Sequence, residues 1–304
     1  MSSSGGPEAS VIIPTHNRPE RLVGAVESVA AQTVTPTEVV VVNDGSDVEY
    51  GDAVDRLPGE TFDLNYIECS SSGGAARARN IGAEAASGSV YMFLDDDDRW
   101  RPRKVERQLR ILEREPTVGL VYSARVAVDE DGTELYRIDA SKEGVLADQI
   151  LLRNHIGTTS CVAVRAPLFD AVGGFDPSMP ALQDWELWIR LCQKTAVGVD
   201  PEHTVEWTTH ANPGDQMTGE PERYVRAVAR LEEKHADRIA TLDRRTRRRI
   251  RAYRYSAIAD KYARAGSARR FPYVARSLAA YPTLTALSRL LPRSSLVRLR
   301  SLLS

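Results

Sequence analysis

The sequence has only three cysteines in 304 residues, Cys69, Cys161 and Cys192, with no metal-type spacing among them. An odd, sparse set argues against a disulfide framework and suits a reducing, cytoplasmic compartment where buried thiols act as small apolar groups. Long hydrophobic runs are also missing. No stretch approaches the ~20 apolar residues that span a bilayer, and the longest uncharged run near the end, residues 277–288, is broken by Pro282. The opening MSSSGGPEAS lacks an apolar segment, so residues 1–9 read as a disordered lead-in and not a signal peptide. A soluble or peripheral protein is expected. No GxGxxG series follows the first apolar run, which speaks against a dinucleotide-binding dehydrogenase. PTHNRPERL also lacks the glycine-rich phosphate loop that a nucleotidyltransferase would want. No Ser/His or Cys/His set suggests a covalent nucleophile.

Lysine is scarce too, with only Lys104, Lys142, Lys194, Lys234 and Lys261, so arginine carries most of the positive charge. The net charge of -2 conceals a division along the chain. Residues 221–304 hold 21 of the 40 basic and 6 of the 42 acidic residues, leaving 19 and 36 for residues 1–220. A tail at +15 behind a body at -17 is expected to meet something anionic: membrane lipid, nucleic acid or the body itself.

What is present in the first third is an alternation of strand and helix signals. Residues 10–14 (SVIIP), 38–42 (EVVVV), 64–68 and 90–94 (VYMFL) read as strands. Residues 18–33 and 73–86 read as helices, the first with Leu22, Val26 and Val29 on one face. Such alternation implies a mainly parallel sheet with helices on both faces, whose ligands bind beyond the carboxyl ends of the strands. The polar residues after strands one, two and four (Thr15, His16 and Asn17; Asp44; Asp95 to Asp98) should therefore share one rim. Further on, residues 103–114 and 184–193 read as helices and residues 118–123 and 159–164 as strands. From Glu222 the pattern is helical, broken near Gly266, Pro272, Pro282 and Pro292.

Four consecutive aspartates directly after an apolar strand are the strongest chemical signal. Carboxylates this close raise one another's pKa unless a cation or donors sit among them, and hard divalent ions take oxygen ligands of this kind. Asp44, in VVNDGS, is either a turn former or an acceptor for the base or ribose of a nucleotide. Asn17 suits a cap for the helix near Pro19. Gly73-Gly74 could bend over a phosphate or lead into the helix, and of Arg77 and Arg79 one should face solvent. Asp184, in LQDWELWIRL, opens a helix whose dipole favours an acid there; beside a metal cluster it becomes a candidate general base.

VIIPTHNR, VVVVNDGS, ARNIGAEAASGSVYMFLDDDD, VGGFD and QDWELWIRL, in that order, resemble family 2 of the inverting GT-A glycosyltransferases, over roughly residues 10–215. The resemblance implies a GT-A α/β domain over 10–220, a mixed, mainly parallel sheet, followed by a basic helical region over 221–304. It implies that Pro14, Thr15 and His16 contact the nucleotide, Asp44 its base and Asp96 its ribose, with Arg79 and Asn80 in the element before the strand. Asp97, supported by Asp95, would bind Mn2+ or Mg2+, with His210 in a late loop over the diphosphate. Asp184 would be the catalytic base. The family usually has Glu before that base, where this chain has Gln183, so acceptor contacts are expected to differ.

The implied reaction moves a sugar from a nucleoside diphosphate donor to a hydroxyl acceptor, a lipid-linked or cell-envelope glycan; an inactive nucleotide-sugar-binding scaffold is the alternative. Leu284, Leu287, Leu290 and Leu291, with Arg289 and Arg293 at the margin, suggest that the tail lies on the anionic inner face of the cell membrane. No recognised nucleic-acid module accompanies the basic run, so nucleic acid is not an expected partner.

Overall fold

The computed structural model describes residues 8–210, 220–283 and 286–287. It divides into two compact units, one of Met1–Ile150, Asn154–Ser178 and Gln183–Ala211, the other of Leu151–Arg153, Met179–Leu182 and Asn212–Ser304.

In the first unit the opening alternation is β1 (Ala9–Thr15), α1 (Pro19–Ala30), β2 (Glu38–Asn43), α2 (Gly51–Asp55), β3 (Asp63–Glu68), α3 (Ala75–Ala85) and β4 (Val90–Phe93). Then come β5 (Arg99–Trp100), α4 (Lys104–Arg114), β6 (Val118–Val128), β7 (Glu134–Ile138) and α5 (Gln149–Leu152). A 3-10 turn at Thr159–Cys161 leads into β8 (Val162–Arg165), followed by α6 (Ala166–Ala171), α7 (Gln183–Cys192) and β9 (Ala196–Thr208). The strands form one sheet in the order β3-β2-β1-β4-β8-β6-β9-β5, with β7 paired to β6. β3, β2, β1 and β4 are parallel. β8 is antiparallel to both β4 and β6, and β9 returns parallel to β6. This is the mixed, mainly parallel GT-A sheet.

Burial explains the early strands. Every residue of β1 and β2 is buried, so these strands are continuous apolar runs and not alternating ones, as expected for a sheet covered on both faces. Val11 and Ile13 join Leu22, Val26 and Val29 of α1 in the main core cluster. Ile12 meets α3 at Gly82, where a Cβ would lie 2.5 Å from Ile12 Cγ2, so the helix approaches the sheet only because that position has no side chain.

Of the later strands, β6 and β8 match runs read from the sequence, whereas β5, β7 and β9 were hidden. β9 contains Asp200, Pro201, Glu202 and His203, a polar stretch that reads as a loop. Its register against β6 jumps from Ser123↔Asp200 to Ala124↔His203, so Pro201 and Glu202 bulge out of the ladder and no hydrogen bond is demanded of the proline. Asp200 is fully buried and paired with Arg107 at 2.7 Å.

Lys104 is also fully buried, its Nζ donating to Gln108 Oε1 at 2.8 Å and lying 3.9 Å from the centre of the Trp100 ring. Burial pushes its pKa down to about 7. A lysine whose folded pKa lies below its unfolded value of about 10.4 binds fewer protons folded than unfolded between the two, so stability rises with pH across that window. We expect Lys104→Met to remove this slope. Melting curves at pH 7 and 9 should show the wild type gaining stability over the variant, and parallel pH profiles would contradict the expectation.

In the second unit, α8 (Pro221–Lys234), α9 (Ala236–Ala240), α10 (Arg244–Arg264) and α11 (Arg270–Ala280) are the described helices. Asp243 caps α10, accepting from the backbone N–H of Arg245 and Thr246 at 2.8 and 3.0 Å. Tyr224, Val228, Ile258 and Tyr262 form a small core, with Tyr273 stacked on Tyr262 at 5.6 Å. Pro272 does not break the helix, contrary to expectation: it falls in the first turn of α11, where a missing N–H costs nothing. Arg244, Arg245 and Arg247 to Arg249 are exposed, whereas Arg254 is buried and paired with Glu232 at 2.9 Å. The leucine stripe expected near the end lies outside the described residues except for exposed Leu287.

Candidate active site

The carboxyl ends of β1, β2 and β4 lie side by side, because β1 pairs with both of the others. Thr15 ends β1, and its hydroxyl donates to Asp96 Oδ2 at 2.8 Å while the Tyr50 hydroxyl lies 2.8 Å away. Tyr50 accepts in turn from the Arg18 backbone N–H at 2.8 Å. Pro14 is buried beside Val42, and exposed His16 contacts the Asp44 carbonyl through Nδ1 at 2.9 Å. Asn17 is not a helix cap. It has φ +57, its N–H donates to Ser46, and its Oδ1 accepts from the Asp47 N–H at 2.8 Å, which ties the first loop to the Asn43–Ser46 turn.

Asp44 is buried and already has three donors. Its carboxylate accepts from the Ser72 hydroxyl at 2.7 Å and from the backbone N–H of Gly73 and Gly74 at 2.9 and 2.7 Å. In this state it organises the lead into α3, where Gly74 has φ +84. Within α3, exposed Arg77 faces its own loop, donating to the Ser71 carbonyl. Arg79 is buried, ion-paired with Asp95 and set over the Phe175 ring at 5.4 Å. Asn80 holds both the N–H and the carbonyl of Phe175, at 2.9 and 2.8 Å, which fixes the Gly173–Phe175 loop.

The four aspartates divide their work. Asp95 pairs with Arg79 and accepts from Thr159 Oγ1 at 3.1 Å. Asp96 accepts from Thr15 and, at 3.2 Å, from Arg18; burial and neighbouring Asp97 push its pKa up to about 6. Asp97 Oδ2 is contacted by Arg18 Nη1 at 2.9 Å and His210 Nε2 at 2.8 Å, with Arg21 at 3.8 Å. Asp98 is fully buried, accepts from the Thr208 N–H at 2.9 Å, and is pushed well above the carboxylate range by burial and by Asp97. It ties the end of β9 to the acidic loop. His210 then reaches Asp97 because Thr208 is anchored, and its Nδ1 lies 2.8 Å from Glu130 Oε1.

Asp184 sits in the first turn of α7. Its Oδ2 accepts from Asn154 Nδ2 at 3.2 Å. The turn that carries Asn154 is closed by its own Oδ1, which accepts from the Ile156 and Gly157 N–H groups, and by Trp188 Nε1 donating to the Gly157 carbonyl at 3.0 Å. Desolvation pushes the Asp184 carboxyl up to about 6, while a hydrogen bond from the Trp185 backbone N–H and the Arg79 and Arg125 cations lower it and Asp95 raises it. Asp184 therefore shares one electrostatic neighbourhood with Asp95 and Arg79. Arg18, Arg21, Tyr50, Glu130, Asn154 and Thr159 were absent from the sequence reading; only Arg18, beside the first-strand motif, had a local clue.

Asp97 and His210 offer one carboxylate and one imidazole. That donor set fits a divalent ion whose remaining positions are filled by diphosphate oxygens. Among the described residues no group of three or more His, Cys, Asp or Glu stands in metal-holding geometry.

Comparisons with known proteins bear on the family and the fold. An uncharacterized glycosyltransferase of Haemophilus influenzae is 29% identical over 186 residues, 61% of this chain and 62% of that protein. The putative teichuronic acid biosynthesis glycosyltransferase TuaG of Bacillus subtilis is 28% identical over 197 residues, 64% of this chain and 76% of its own. Among solved structures, S. aureus TarS 1-349 superposes with a TM-score of 0.66 at 16% identity, covering 90% of this chain and 81% of that one. The same protein in complex with UDP-GlcNAc gives 0.57 at 15% identity, covering 92% of this chain and 91% of that one. These structural likenesses speak for the fold. The profile of glycosyl transferase family 2 matches residues 10–173. The chain is a member of glycosyl transferase family 2.

Proposed function

We propose that the protein transfers a sugar, with inversion, from a nucleoside diphosphate donor to a hydroxyl acceptor, with Asp184 as the base. The observation that carries this reading is the proximity of Asp184, with its pKa near 6, to the Arg79–Asp95 pair at the edge of the aspartate rim. A carboxyl with that pKa is ionised at neutral pH yet more basic than an ordinary aspartate, as proton abstraction from an attacking hydroxyl requires. Asn154 and the Trp185 backbone N–H orient the carboxylate toward its task.

Thr15, His16 and Asp96 form the nucleotide side of the site, and Asp44 keeps the Ser72–Gly74 backbone in place beneath it. Asp97 and His210 would hold a divalent ion, with Asp95 supporting through Arg79. When bound, that ion stabilises the charge on the departing diphosphate. Arg18 and Arg21, both turned toward Asp97, are placed to take part in the same neutralisation once Asp97 has another partner. A uridine diphosphate sugar is the first donor to test, given the ligands in the TarS crystals, and a cell-envelope glycan the first acceptor class, given TuaG. The exposed arginines of α10 support attachment to an anionic membrane surface; no helix among the described residues is long and apolar enough to cross a membrane.

A thermal-shift screen of nucleoside diphosphates and their sugars, with and without Mn2+, tests the donor assignment. A ligand at 100 times its Kd stabilises by about 2.7 kcal/mol, so the correct donor should raise the melting temperature by several degrees. No shift with any nucleotide at millimolar concentration would overturn the reading.

A further inference from the structure

Arg18, Arg21 and Arg79 each face a carboxylate across the site. Arg125, on β6, does not. Among the described residues its polar contacts are to neutral groups: Nη1 lies 3.4 Å from the Ile156 carbonyl, and the side chain hydrogen-bonds to the Cys161 sulfur. Its guanidinium sits over the Trp207 ring at 5.8 Å. Its Nε is buried with no hydrogen-bond partner. A guanidinium has five donors and keeps its charge throughout the physiological range. Holding one half-buried with no carboxylate in contact, the Asp184 charge acting only from beyond ion-pair distance, is unfavourable unless another anion comes closer.

The guanidinium is seated against a turn that has no side chain at that point. Gly157 has φ +103, and a Cβ there would lie 2.2 Å from Arg125 Nη1. This is the turn whose Asn154 side chain holds Asp184, and the Arg125 cation acts on the Asp184 carboxyl. The unpaired cation therefore stands beside the base, where the attacking hydroxyl and the transferred sugar must meet. It is distinct from the Arg18–Asp97–His210 group on the diphosphate side.

We propose that Arg125 is a subsite for an anionic group, a carboxylate or phosphate carried by the transferred sugar or by the acceptor. This rests on the glycosyl-transfer reading above and narrows its substrate class. The planar fork of an arginine matches both anions in a two-point contact that a lysine cannot reproduce. The incoming anion would complete the charge balance that the protein leaves open at this point.

The test has two arms. In the donor arm, UDP-glucuronate and UDP-glucose are titrated calorimetrically into wild type, Arg125→Gln and Arg125→Lys. In the acceptor arm, glycerol 3-phosphate and glycerol are titrated into the same proteins, with and without UDP. Wild type should bind the anionic probe of one arm about 10-fold or more tightly than its neutral twin, the worth of one charge-assisted contact. The arm that responds identifies the source of the anion. Arg125→Gln should lose the preference and Arg125→Lys keep part of it, with binding of the neutral probes unchanged. Equal affinities in both arms of the wild type, or a preference that survives in Arg125→Gln, would overturn the proposal. Absence of UDP binding would instead count against the nucleotide reading, and the glycerol 3-phosphate comparison without UDP would still decide the role of Arg125.

Discussion

Asp184→Asn should reduce turnover by about 100- to 10,000-fold, the usual contribution of a positioned general base, while donor binding and fold persist. Asparagine keeps the shape of the side chain and the contact from Asn154, but it cannot take a proton. The wild-type pH profile provides the companion test. With the Asp184 pKa at about 6, kcat should fall with unit slope below that pH, because only the ionised carboxylate accepts the hydroxyl proton. Stability should move the opposite way. A carboxyl whose folded pKa is raised binds more protons folded than unfolded between about pH 4 and pH 6, so the protein loses stability as pH rises through that window. The loss should be smaller in Asp184→Asn. A variant with wild-type turnover would remove Asp184 from the chemistry.

Asp97→Ala should abolish any Mn2+-dependent thermal shift and reduce turnover by about 100-fold or more, since a bound cation contributes several kcal/mol of leaving-group stabilisation. Asp97 is the residue on which Arg18, His210 and Arg21 converge, so its removal leaves three donors without their common acceptor. Binding of UDP alone in the absence of metal should weaken less than binding of UDP with Mn2+. The opposite pattern, an undiminished Mn2+ response, would move the metal seat to Asp95 or Asp96. Comparing His210→Ala under the same conditions would show whether the imidazole belongs to that seat.

The first, parallel half of the sheet was legible because its signals are local. VIIP, EVVVV and VYMFL are buried on both faces, and a strand so placed must be apolar throughout. The rim followed from that topology before any side chain was seen. Asp44 was legible as important but not in its partner. Whether it receives a nucleotide or the Ser72–Gly74 backbone depends on a loop 28 to 30 residues later, and spacing does not encode that closure. β9 was missed because Asp200 and Pro201 look like a turn, and only the bulge against β6 and the ion pair to Arg107 let the strand pass through them.

The early strands, the acidic run and the acid opening a Trp-rich helix were set by the amino-acid sequence itself, since each depends on neighbours within a few residues. The pairing of Arg79 with Asp95, the tie from Asp98 to Thr208 and the lack, among the described residues, of an ion pair at Arg125 were decided only by the tertiary structure. Those contacts join segments 16 to more than 100 residues apart. Burial, not composition, determines which charges there find partners.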